Sequence, residues 1–188
     1  MGRPQRRSVW RTIADWFSTL LVFAVLALAI VYFQHQSESE FAGFFRVIDG
    51  DSLSMDGEEI RLVGIDAPEF SQNCGAKEAE WACGRDAARH LGRLVENTPI
   101  RCKGTKRDRF GRLLAICLSG TDELNRIMVA QGWAVSFGRY ETEETAARTQ
   151  RLGIWKSEFV RPQRWRRENL GDMNEAQGRS WLKRMLGN

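Results

Sequence analysis

Val47-Ile48-Asp49-Gly50-Asp51-Ser52, continued by Ile60-Arg61-Leu62-Val63-Gly64-Ile65-Asp66-Ala67-Pro68-Glu69, is the stretch on which the reading of this chain turns. Two short β-type runs end in carboxylates, Arg61 lies between those carboxylates in sequence, and Pro68-Glu69 closes the second run. An ordinary core hairpin does not carry so many charges. Acidic oxygens are what a hard divalent cation takes as ligands, and an arginine fork matches a phosphate. The stretch therefore reads as a metal-dependent phosphodiester site. Asp51 and Asp66, each at a strand end, are candidate metal ligands. Glu69 stands three residues past Asp66, beyond the rigid Pro68, and is the candidate general base. Arg61 and Arg112 are candidate phosphate forks, and Arg112 follows Gly111, so its side chain emerges from a tight turn. Taken singly, Asp49-Gly50 is an ordinary turn signal and an arginine is an ordinary surface ion-pair partner. The combination carries the chemistry.

Working outward, Phe41–Ile48 has the pattern of a first strand, Ser52–Met55 of a second, and Asp56-Gly57 of a hairpin turn leading to a third over Glu59–Ile65. Pro68 stops that run. Ala76, Ala79, Ala82, Ala87, Leu91 and Leu94 recur at helical spacing and predict a helix over Gly75–Val95, with Cys83-Gly84 as an interruption. Ile100–Thr105 and Arg112–Leu118 are strands four and five. Helices are predicted over Asp122–Gln131 and Glu141–Leu152, with Trp133–Phe137 extended between them. Five short strands with a helix between the third and fourth is the order of an OB-type Greek-key barrel, so the fold class is α+β, mainly β, with about three helices.

Cys74, Cys83, Cys102 and Cys117 make an even set. Asp108-Arg109-Phe110-Gly111 is a turn-like tetrad, and a hairpin centred between Arg109 and Phe110 places Cys102 opposite Cys117, close enough to bridge. Cys74–Cys83 is then a local staple. Closing the longer loop is worth about 3 kcal/mol in the chain-entropy model. Zinc ligation is the alternative, but the chain has no CxxC and His90 is the only histidine near these cysteines.

The formal net charge of +4 on 188 residues is unevenly placed. Residues 1–33 hold Arg3, Arg6, Arg7 and Arg11 against Asp15, residues 34–160 hold 17 basic and 20 acidic residues, and residues 161–188 hold seven basic and three acidic ones. The basic pI therefore comes from the ends and does not by itself argue for a nucleic-acid groove. Trp16–Phe33 is an uncharged apolar run of 18 residues, long enough as a helix to cross the hydrocarbon core. Arginines precede it and Glu38 and Glu40 follow it. The positive-inside rule then places the N-terminus in the cytoplasm and the rest of the chain on the outer face of the cell (inner) membrane. A cleaved signal peptide is the rival, with Ala27-Leu28-Ala29 as the cleavage motif, but apolar Ile30-Val31-Tyr32-Phe33 follows it. The expected organisation is a cytoplasmic N-terminus and transmembrane anchor over 1–33, a linker over 34–40, a barrel domain over 41–160 and a basic extension over 161–188. An amphipathic tail helix is expected around Ala176–Leu186.

Asp49-Gly50-Asp51-Ser52, Arg61–Glu69, Asp108-Arg109-Phe110-Gly111-Arg112, Asn125 and Gln131-Gly132-Trp133-Ala134, all in order, resemble the staphylococcal nuclease (thermonuclease) family. The resemblance runs from about Phe44 to Trp155. It implies a calcium-dependent OB-fold nuclease in which Asp51, Asp66 and the backbone carbonyl of Ala67 bind Ca²⁺. It also implies Arg61, Glu69 and Arg112 as the catalytic set, DNA or RNA as substrate, and 3′-phosphate ends as products. Tyr140 matches the family's base-stacking aromatic. Ser52 and Ala67 stand where threonines are usual, and Phe110 stands where a tyrosine is. The paired cysteines, Gly153-Ile154-Trp155, Phe159 and Pro162-Gln163-Arg164-Trp165-Arg166 resemble exported bacterial members of the family. A monomer is expected. The competing class is an OB-fold module of the cell envelope that holds nucleic acid or another polyanion without cutting it; three clustered carboxylates give such a binder nothing.

Overall fold

A computed structural model describes residues 9–35 and 39–169 of the chain. It divides into two compact units at Glu38–Ser39. Arg3, Arg6 and Arg7 and the expected tail helix Ala176–Leu186 lie outside the described residues.

The first unit is the helix α1, Val9–His35. Within it Asp15–Tyr32 is long and apolar enough to cross a membrane. Leu21, Phe23 and Leu28 are exposed, as the side chains of a lipid-facing helix are. The helix is described to His35, and the next strand begins at Ser39.

The second unit is built on a curled sheet. The apolar run expected as one strand is two: β1, Ser39–Gly43, and β2, Arg46–Asp49. Then follow β3, Ser52–Met55, β4, Glu58–Leu62, and β5, Ile65–Asp66. The β3–β4 hairpin turns at Asp56-Gly57, both with positive φ (51° and 87°), the conformation that an Asp-Gly hairpin adopts. After α2, Cys83–Val95, come β6, Ile100–Arg107, and β7, Leu113–Ser119. The short β8, Asp122–Glu123, leads into α3, Leu124–Ala130; β9, Val135–Ser136, then precedes α4, Glu141–Thr149, and α5, Pro162–Glu168.

The strand order is β1-β6-β7-β4-β3-β2. The bent first run closes it: β1 pairs with β6 while β2 pairs with β3. Counted as one bent strand, that run and β3, β4, β6 and β7 are the five expected strands, with β4 and β7 the parallel pair. Leu53, Ile60, Leu62, Ile100, Leu113 and Ala115 point inward, and Leu91 of α2 and Met128 of α3 close the core, all at 1% exposure or less. Asn125 ties this core together. Its side chain accepts the Cys117 N–H and donates to the Val63 and Ala115 carbonyls, at 2.9–3.0 Å.

Both disulfides form as expected, Cys74–Cys83 and Cys102–Cys117. Cys102 faces Cys117 in the β6–β7 ladder, and the register then shifts between Gly104 and Lys106. The helix expected over Gly75–Val95 is confined to Cys83–Val95. A 3₁₀ turn at Lys77–Ala79 and a β-bridge between Cys74 and Trp81 occupy its first part, because the disulfide folds that segment back on itself. α5 is an element beyond the three helices expected of the barrel.

Long-range pairing brings the second half of the chain to the acidic end of the barrel. β5 pairs with β9, setting Asp66 opposite Val135. Glu144 of α4 fixes the next step: its carboxylate accepts the Ser136 N–H and pairs with Arg161, each at 2.5 Å. Burial works against ionisation of Glu144, but the bonds from Ser136 and Arg161 outweigh it and hold the carboxyl below the usual glutamate range. A depressed carboxyl stabilises the fold above its ordinary pKa, and that stability is lost as pH falls through the folded-state value. Urea midpoints followed from neutral pH to below the ordinary glutamate pKa of about 4.3 should fall for the parent. In Glu144→Gln the fall should be shallower, from a lower midpoint at neutral pH.

Candidate active site

Three segments deliver the charged groups. The β2–β3 turn presents Asp51, 3% exposed, and the Asp49 carboxylate closes that turn by accepting the Asp51 N–H at 3.0 Å. β4 presents Arg61, which lies opposite Ser52 in the ladder. β5 ends on Asp66, 2% exposed. One nitrogen of Arg61, Nη2, lies 2.8 Å from Asp51 Oδ2 and 2.8 Å from Asp66 Oδ1. Two carboxylate oxygens, one from the β2–β3 turn and one from the end of β5, thus converge on a single cationic point.

The remaining bonds hold that convergence. Asp51 Oδ2 accepts the Ala67 N–H at 3.1 Å, and Asp51 Oδ1 accepts the Ser52 hydroxyl at 3.0 Å. The same hydroxyl accepts from Arg112 Nη1 at 3.4 Å, so serine performs this linking role without the threonine methyl. Arg112 is aimed by Asp108, whose Oδ2 takes Nε and Nη2 at 2.8 Å each while its Oδ1 takes the Phe110 and Arg112 N–H groups. Although its burial opposes ionisation, these bonds, led by that from the Arg112 side chain, hold Asp108 below the usual aspartate range. Asp108 is thus both turn former and arginine holder.

Glu69 sits on a loop that is fastened from several sides. Gln72, fully buried, accepts the Glu69 N–H at 3.3 Å, donates its own N–H to the Glu69 carbonyl at 2.7 Å, and donates from Nε2 to the Val160 carbonyl at 2.6 Å. The Cys74–Cys83 bridge closes the loop onto α2. Gly84 allows the approach: a Cβ there would lie 1.7 Å from the Glu69 carbonyl oxygen.

One functional group was not legible in advance. Arg166 of α5 sets Nη1 2.6 Å from Glu69 Oε1, and sets Nη2 2.9 Å from Asp66 Oδ1 and 3.0 Å from Asp66 Oδ2. A single guanidinium therefore bridges the candidate base and a candidate metal ligand. Burial lowers the Arg166 pKa, but the bond to Glu69 and the charge of Asp66 outweigh it and raise it above the usual arginine value. Sequence spacing gives no hint of a contact spanning 97 residues. The available signs were the Arg-rich composition of Arg164-Trp165-Arg166-Arg167 and the resemblance of Pro162–Arg166 to exported family members, neither of which assigns Arg166 a role.

A cavity of about 290 Å³ opens at this cluster, lined by Arg61, Asp66, Phe137, Arg139 and Arg166 among others. Tyr140 is packed against the barrel core, and its hydroxyl donates to Glu123. Burial and that bond push its pKa up to about 12. The aromatic lining the cavity is Phe137. Phe110 is 68% exposed, with the Arg109 and Arg112 guanidinium groups over its ring.

Among the described residues no three acidic, histidine or cysteine side chains cluster as a ready metal cage. Two carboxylates do converge, however, both hard oxygen donors of the kind that calcium takes. Burial, with Asp49 adding to it and Arg61 opposing it, pushes the Asp51 carboxyl up to about 7. A cation ligated there would offset that burial, and in this sense the residues fit the ion.

Residues 59–157 match the family model described as staphylococcal nuclease homologue. "Protein ParB" of Escherichia coli is 32% identical over 85% of this chain and 98% of its own length. "Micrococcal nuclease" of Shigella flexneri is 28% identical over 80% of this chain and 95% of its own. "Succinoglycan biosynthesis protein ExoI" of Rhizobium meliloti is 31% identical over 75% of this chain and 78% of its own.

Arg166 and Glu69 should be energetically coupled. In a double-mutant cycle of Arg166→Ala and Glu69→Gln, read by urea unfolding of the full chain in detergent, the coupling should be about 1 kcal/mol, discounted for partial exposure. Additive effects would show that the ion pair does not hold the loop.

Proposed function

Because this chain belongs to the staphylococcal nuclease homologue family, we propose that it is a Ca²⁺-dependent nuclease that hydrolyses phosphodiester bonds of DNA or RNA on the outer face of a membrane. The observation that carries the proposal is the convergence of Asp51 and Asp66 on one point, with Glu69 joined to the same cluster through Arg166. A pure binding module gains nothing from burying two aspartates beside a phosphate.

Asp51, Asp66 and the Ala67 carbonyl would hold Ca²⁺. When bound, the ion supplies Lewis-acid stabilisation of charge on the phosphate oxygens. The chain's own residues do the rest. Glu69 accepts a proton from the attacking water as its oxygen bonds to phosphorus. Arg61 and Arg112 hold the non-bridging oxygens, whose charge grows in the transition state. Asp108 keeps the Arg112 fork aimed, and Arg166 keeps the Glu69 carboxylate in place until substrate arrives. The bond to the 5′-oxygen breaks, which leaves a 3′-phosphate end and a free 5′-hydroxyl. α1 anchors the enzyme with its basic N-terminus in the cytoplasm, and the enzyme acts as a monomer.

Full-length protein in detergent, given single- and double-stranded DNA, should cleave both with Ca²⁺ and neither with a chelator. Glu69→Ala should lower kcat by about 10²- to 10⁴-fold while leaving the unfolding transition cooperative. Binding without cleavage by folded, disulfide-bonded protein would instead favour a polyanion-binding module.

A further inference from the structure

Asp66 is the shared wall of two cavities. On one side lies the space bounded by Arg61 and Arg166 already described. On the other lies a second cavity of about 380 Å³, whose lining includes Asp66, Phe137, Phe159, Arg161, Arg164 and Arg167. Its size falls in the range of about 300–1,000 Å³ usual for small-ligand sites. Arg161, at the N-cap of α5, and Arg164 and Arg167 within it recur every third residue and so share one face. Phe137, 59% exposed, lines both cavities. This second cavity lies at β9 and α5, and α5 falls beyond residues 59–157 that match the family model.

The three charges are unequally engaged. Arg161 is committed to Glu144. Arg164 pairs only with the exposed Glu168, one turn along the same short helix, and among the described residues Arg167 has no ion-pair partner. An exposed helical pair of that kind contributes little, so it yields readily to a phosphate. α5 itself is held in place by Arg166 on Asp66 and Glu69, and the segment before it by Gln72 on the Val160 carbonyl. The arginine face of α5 is thereby fixed against the candidate active site.

We propose that the cavity between Phe137 and α5 is a subsite for the nucleotide next to the scissile phosphate, its phosphate taken by Arg164 and Arg167. The strand crosses the cleavage site beside Arg61 and Arg166, passes Asp66, and continues over α5. This rests on the nuclease reading for the location of the scissile phosphate. The subsite makes the enzyme favour chains longer than a dinucleotide, because a dinucleotide has a single diester and no flanking phosphate to offer.

The test uses full-length protein carrying Arg164→Gln and Arg167→Gln together. Neither residue belongs to the catalytic set, and thermal melting checks the fold. Binding of a fluorescein-labelled octathymidylate is measured by anisotropy in chelator at several salt concentrations. The double variant should bind about tenfold more weakly. Its log Kd against log salt slope should fall by about 0.7 for each phosphate of the single strand that the arginines no longer neutralise. Ca²⁺-dependent cleavage of a thymidine dinucleotide should stay within about twofold of the parent. Parent-like affinity and salt slope for the octamer would overturn the subsite even if cleavage is normal. An α5-dependent loss of binding in a protein that cleaves nothing with Ca²⁺ would support the subsite and sink the nuclease reading instead.

Discussion

Two aspartates almost closed off from solvent must be matched by positive charge, and the structure is arranged around that requirement. Arg61 meets it from the neighbouring strand by placing one nitrogen between Asp51 and Asp66. Leaving either carboxylate unpaired in so buried a place would be strongly destabilising, on the order of 3–5 kcal/mol for a buried charge stripped of its partner. The barrel makes the arrangement possible. β3 and β4 pair so that Ser52 lies opposite Arg61, and the turn before β3 and the end of β5 then bring Asp51 and Asp66 together. Strand ends hold side chains more precisely than free loops do, which is what a site for a small hard cation needs.

Even with Arg61 in place, the burial of Asp51 is not fully offset, and its carboxyl stays raised. The second half of the chain adds a further positive charge beside Asp66. Arg166 comes from beyond the barrel to join Asp66 to Glu69, and Gln72 ties the Glu69 loop to the segment that leads into α5. The Cys74–Cys83 bridge and Gly84 fix the other side of that loop. Glu69 is thus positioned by covalent, backbone and ionic restraints together. For the general base proposed above, which must meet a water in one orientation, this is the kind of preorganisation that gains rate.

Much of this was legible in the sequence because it is local. The β-runs, the Asp56-Gly57 turn and the Cys102–Cys117 pairing all follow from spacing along neighbouring strands. Asp51, Arg61, Asp66, Glu69 and Arg112 were legible as a set because their residue types suit one chemistry, and the structure joins them in one network, Arg112 through Ser52. What was not legible is non-local. The pairing of Ile65-Asp66 with Val135-Ser136 leaves no mark in either segment. The helix expected from Gly75 begins only at Cys83, because a disulfide within nine residues overrides helical spacing. The first strand breaks at Phe44-Phe45, where the chain leaves one edge of the sheet for the other. Tyr140, about two residues out of register, was the candidate for the family's stacking aromatic, yet its hydroxyl is engaged by Glu123 while Phe137 lines the cavity. Arg166 could be seen as part of a basic stretch that resembles exported family members, but not as a partner of Asp66 and Glu69.

The central claim is that Asp51 and Asp66 together form a site for one divalent cation. Calorimetric titration of Ca²⁺ into the full-length protein, beside Asp51→Asn and Asp66→Asn, tests it without recourse to catalysis. The account predicts one ion bound per parent chain and no measurable binding to either variant, with both variants still folded. Parent-like binding in both variants, or no binding to a folded parent, would contradict it.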